Sequence, residues 1–156
     1  MPYEYLDDVA TADIAFRAWA ENVEHTFIQA GALMNVMVVE LDRIDGREQR
    51  SVHLENEELD LLLFDFLESM IYYKDAENLL LRARQVKIAQ ELKVRFSLDS
   101  TLTGEPIDLA RHRLRVDVKA VTLHRFKLEK NRRRVGGFRH SGYLRNGQPA
   151  PRFFCR

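Results

Sequence analysis

Residues 56–89 read NEELDLLLFDFLESMIYYKDAENLLLRARQVKIA, and the fold class turns on how this stretch divides. From Asn56 onward, Leu59, Leu62, Leu63, Phe66, Leu67, Met70 and Ile71 recur at three- and four-residue spacing. That is the wide apolar stripe of a helix lying deep against a sheet. After Glu77 the period changes, and NLLLRARQVKIA has the character of a strand. A long amphipathic helix feeding a strand is one joint of a mixed domain.

Working outward, YEYLDD and DIAFRAWA read as two short strands, since Ile14, Phe16 and Ala18 alternate with Asp13, Ala15 and Arg17. Asn22 offers an N-cap to a helix whose core stripe is Val23, Phe27, Ala30, Met34 and Met37. Glu21 and Glu24 sit near its positive end. DRIDGREQR is a polar turn leading into the alternating strand RSVHLE. Beyond the central stretch, ELKVRFSLDS and RVDVKAVTLHRFKLEK are strands joined by a polar connection, TLTGEPIDLARHRL. The order β-β-α-β-α-β-β-β predicts an α+β domain: a largely antiparallel sheet with two helices packed on one face.

At 156 residues the chain is long enough for one domain with a real core. Its net charge of zero hides an asymmetry. Residues 131–156 carry seven arginines and no acid, leaving 17 Lys and Arg against 24 Asp and Glu in residues 1–130. An acidic body lacks the footprint of a protein that neutralises phosphates, so only the tail could bind nucleic acid in that way. The lone Cys155 can form no internal disulfide. The acidic start, with Glu4, Asp7 and Asp8, leads one to expect no signal peptide, and no apolar run approaches the roughly 18 residues of a membrane span. A cytoplasmic protein is expected.

Enzymatic signatures are sparse. There is no phosphate-binding GxxxxGK[ST], no GxSxG, no HExxH and no cysteine pair. His25, His53, His112, His124 and His140 show no metal-ligand spacing, and they read as scattered surface or half-buried residues. Asp13 opens a strand after VATA, where a carboxylate can face a cleft. As a hard oxygen ligand it would suit calcium, magnesium or manganese, although a solvated strand-end acid is the plainer reading. Lys119 lies mid-strand in DVKAVTLH, out of place on a buried face and ordinary on an edge or solvent face.

YEYLDD with TADIAFRAWAENVEHTFIQAGALMNVM, LLLFDFLESMIYYKDAENLLL, and GEPIDLARHRLRVDVKAVTLHRFKLE together resemble the archease family, in order and at family spacing, over nearly all of residues 3 to 130. The resemblance implies an accessory protein and no free-standing enzyme. Archeases assist the RtcB-type RNA ligase, which joins RNA ends in tRNA splicing and RNA repair, by promoting guanylylation of the ligase's active-site histidine with GTP and a divalent metal ion. On this resemblance the aspartate of TAD, Asp13, binds metal, and the lysine of VKAVT, Lys119, serves ligase activation.

Two departures accompany it. The loop before TAD is longer by two residues than the family's and carries Asp8, Val9 and Ala10 where the family has a histidine. Archeases also end in a strand of the type VxxDI, whose aspartate completes the metal site, and the basic tail stands in its place. A permitted codon set for Asn131 to Arg145, read one nucleotide later, gives TGEGWEAFVILDI and then a stop. Residues 131–156 are therefore expected to be a frameshift product appended to an archease-like domain of residues 1–130. The expected consequences are a missing terminal strand and an unpaired sheet edge. The alternative is a small RNA-binding module whose arginine-rich tail contacts RNA, with Phe138, Tyr143, Phe153 and Phe154 available to stack on bases.

Overall fold

The computed structural model describes residues 3–6, 13–38, 46–110, 112, 118–130 and 138–146. Strands β1 (Tyr3–Leu6) and β2 (Asp13–Ala20) precede helix α1 (Val23–Val38). Then come β3 (Glu48–Asn56), helix α2 (Leu59–Glu77), β4 (Leu79–Glu91), β5 (Arg95–Pro106), β6 (Val118–Lys130) and β7 (Phe138–Asn146). The expected α+β class holds, and every strand pairing is antiparallel. The strands divide into two sheets, ordered β1-β2-β7-β6 and β3-β5-β4.

Local chemistry explains the helix boundaries. Asn22 caps α1, its Oδ1 accepting the His25 N–H at 2.8 Å, and its carbonyl accepts from both the N–H and the hydroxyl of Thr26. Phe27 and Ala30 are fully buried, and Val23 packs against the core; the side chains of Met34 and Met37 lie outside the described residues. Helix α2 starts with its stripe at Leu59 and not at Asn56, because Asn56 closes β3 instead. Its Oδ1 takes the Glu58 N–H, and its Nδ2 donates to Asp65. The helix ends at Asn78, whose left-handed φ of 55° is one an asparagine tolerates; the Asn78 N–H reaches back to the Tyr73 carbonyl. Leu62, Leu63, Phe66, Leu67, Met70 and Ile71 of α2 are all buried, as their periodicity predicts.

Two expectations are corrected. TLTGEP is no connection: it is the second half of β5, the central strand of its sheet, where Gly104 pairs with Glu48 on one side and Leu81 on the other. Glycine stands inside this strand because a Cβ on Gly104 would lie 1.7 Å from the Leu80 carbonyl oxygen. Nor is the terminal strand missing. Residues 138–146 form β7 and pair along β2 and β6, so this part of the tail is an internal strand rather than a free arm. Left alone, β2 and β6 would each show a row of unpaired N–H and C=O groups. Backbone pairing satisfies those groups with little demand on side-chain identity.

Candidate functional site

Topology, more than sequence distance, assembles the site. In the four-stranded sheet Arg145 of β7 is opposite Asp13 of β2 on one side and Ala120 of β6 on the other. Asp13 and Ala120 are thus two strand spacings apart, about 10 Å. Lys119 lies beside Ala120 at a register shift in the β6–β7 pairing, between Val118 and Ala120. Bulges of this kind re-aim a side chain. Both residues singled out from the sequence therefore come to one end of one sheet.

Strand β6 is at the edge of its sheet, and α2 packs along it. Three side chains spaced along α2 meet it in turn. Phe64 packs edge-on against Phe126, with ring centroids 5.8 Å apart. Glu68 accepts the Val121 N–H through Oε1. Asp75, in the last helical turn, receives the Lys119 ammonium at 3.2 Å, and Lys74 donates to the same carboxylate oxygen. Burial pushes the Glu68 carboxyl above its ordinary range, with Asp65 adding to the effect and the Val121 N–H opposing it. Lys119 keeps 44% of its side chain exposed, so its charge stays accessible while one partner is already fixed.

A buried pair holds the approach to β6. His112 and Glu105 are 1% and 3% exposed at their side chains, with His112 Nε2 3.0 Å from Glu105 Oε1. The Asp108 N–H donates to His112 Nδ1 at 2.9 Å, so Nδ1 is the acceptor and Nε2 carries the proton given to Glu105. His112, expected at the surface or half-buried, is instead buried, tied to the Asp108 N–H just after β5. Asp75 was missed too, although an acid in the last turn of a helix is placed against the helix dipole and asks for an explanation.

Among the described residues no three His, Cys, Asp or Glu lie together so as to hold a metal ion. The side chain of Asp13 lies outside the described set. Among the described residues no helix is long and apolar enough to cross a membrane.

An antiparallel α+β domain, with a lysine held by a helix-terminal acid at one sheet end, is the class of protein that the geometry defines. Residues 3–137 match the Archease protein family, and the chain belongs to that family. The protein archease of Pyrococcus abyssi is 33% identical over 120 residues, covering 77% of this chain and 84% of that relative. Its counterpart from Methanosarcina mazei is 31% identical over 137 residues, 88% of this chain and 90% of the relative. The solution structure of Methanobacterium thermoautotrophicum protein 1598 superposes with a TM-score of 0.79 at 28% identity, over 92% of this chain and 98% of that one.

Proposed function

We propose that this chain is an accessory protein that activates an RtcB-type RNA ligase by promoting its GTP-dependent guanylylation, in tRNA splicing and RNA repair. The observation that carries the reading is the convergence of Asp13 and Lys119 at one sheet end, across a single strand. Guanylylation joins a ligase histidine nitrogen to the α-phosphorus of GTP and releases pyrophosphate. Negative charge accumulates on the departing pyrophosphate as the bond between the α-phosphorus and the oxygen it shares with the β-phosphorus breaks. A lysine presented at a fixed place can neutralise it, which is worth most where the partner surface excludes water. Asp13 brings a carboxylate to the same end, suited to meeting a divalent ion such as calcium, magnesium or manganese that accompanies the nucleotide. Membership of the archease family and the exposure of Lys119 support this assignment. The chain acts as a partner of the ligase in the cytoplasm and meets tRNA or broken RNA indirectly.

The test is label transfer from α-labelled GTP to the RtcB-type ligase, with this protein at sub-stoichiometric amounts. Transfer should accelerate with the native chain, and the acceleration should be largely lost with Asp13→Ala and with Lys119→Ala. Full acceleration by both variants would remove these residues from the mechanism. No acceleration by the native chain would remove the function.

A further inference from the structure

Asp75 sits where its own helix gains nothing from it. The last turn of a helix presents its negative end, and a carboxylate there is disfavoured. Two ammonium groups meet this carboxylate. Lys74 approaches from the same turn with only 10% of its side chain exposed, and Lys119 reaches across from β6. Each end of the Asp75–Lys119 contact stands on fixed backbone. The Asn78 carbonyl accepts the Ile107 N–H at 2.8 Å, and Arg50 on β3 grips Glu77 with two N–H groups at 2.9 and 2.8 Å. On β6, Glu68 holds the Val121 N–H two residues from Lys119.

A lysine side chain is among the richest in rotamer entropy, most of it lost whenever the ammonium is fixed in one place. We propose that Asp75 is a positioning residue: it fixes the Lys119 ammonium before the partner's phosphates arrive, with Lys74 steadying the carboxylate from the helix side. The phosphate then meets a charge already in place, and the ordering cost does not fall on the encounter. This inference rests on the role proposed for Lys119.

Two measurements separate the two ideas. In the isolated protein, 15N NMR of the lysine ammonium groups should show Lys119 ordered and slow in hydrogen exchange. Asp75→Asn should make it measurably more mobile and faster in exchange, and Asp75→Glu should restore part of the order. An unchanged Lys119 signal in Asp75→Asn would overturn the proposal whatever the ligase does. In the guanylylation assay Asp75→Asn should lower stimulation about tenfold, with Asp75→Glu recovering part of it. The double variant Asp75→Asn/Lys119→Ala should match Lys119→Ala alone, because the acid acts through the lysine.

Additive losses would overturn the proposal, and so would raised or unaltered stimulation by Asp75→Asn while Lys119→Ala is inactive. If Lys119→Ala stimulates fully, the functional reading of Lys119 fails, and the ammonium NMR still decides whether Asp75 orders it. Melting temperatures within a few degrees of the native chain confirm that the variants fold.

Discussion

Three glycines form a graded test of the packing. A Cβ on Gly104 would sit 1.7 Å from the Leu80 carbonyl oxygen, 2.7 Å from its carbon and 2.9 Å from the Leu81 Cα, all backbone of β4. None of these atoms can rotate away. Relief to an ordinary contact needs strand separation of roughly 1.7 Å or more, which breaks two or three ladder bonds at about 1 kcal/mol each and loosens the layer around the fully buried Leu102. Gly104→Ala is therefore expected to cost about 3 to 5 kcal/mol, and near 3 °C per kcal/mol at this chain length, to lower Tm by roughly 10 °C or more. Gly31 would meet the Met70 sulfur at 2.9 Å, the flexible end of a side chain, so Gly31→Ala should cost less. Gly46 would meet nothing nearer than Thr103 Cβ at 3.8 Å, and Gly46→Ala should be nearly neutral. Thermal and urea melts of the three variants give the order directly. A Gly104→Ala protein melting within about 2 °C of the native chain would refute the close approach of β4 and β5.

Glu68→Gln keeps an oxygen for the Val121 N–H and removes the partly buried charge. Because burial raises the Glu68 pKa in the folded state, its contribution is present below the ordinary glutamate range and lost as pH rises through the folded value. The variant should thus equal or exceed the native chain in stability at neutral pH and lose that advantage in acid; a pH series of urea melts checks it, and a variant less stable at neutral pH would contradict it. His112→Ala strips a donor from the buried Glu105 and should cost about 3 kcal/mol or more; a loss under about 1 kcal/mol in the same melts would deny the pair its structural role. The Asp99 carboxylate at 2.7 Å, followed by Glu55, holds the His53 pKa above its ordinary value. Any stability His53 lends is present below the free-imidazole range and lost as pH rises through the folded value. An NMR titration should place its inflection above about 6.5, and Asp99→Asn should lower it; an inflection indifferent to Asp99→Asn would disprove the contact.

Periodicity made the helices legible, because six side chains of the α2 stripe face one way and Asn22 has the chemistry of a cap. Sheet partition was not legible, since the choice between one sheet and two depends on pairings far apart in sequence. The second half of β5 was hidden by Thr103, Gly104 and Pro106, which read as loop residues when the neighbouring backbone is unseen. Strand β7 was hidden by its arginines, because backbone ladders do not require an apolar pattern. Lys119 stood out as a lysine in a strand, and the edge position of β6 accounts for it. Its partner Asp75 lies 44 residues away and could be matched to it only in three dimensions.

Restored turnover of an RNA ligase is the function proposed for this chain. The direct measurement is multiple-turnover joining of a 2′,3′-cyclic phosphate RNA end to a 5′-hydroxyl end by limiting RtcB-type ligase with GTP and a divalent metal ion, with and without this protein. The predicted result is one burst equal to the ligase present when the protein is absent and many rounds when it is added, with Lys119→Ala returning the reaction to the single burst. Equal product with and without the protein, at a concentration that saturates binding to the ligase, would contradict it.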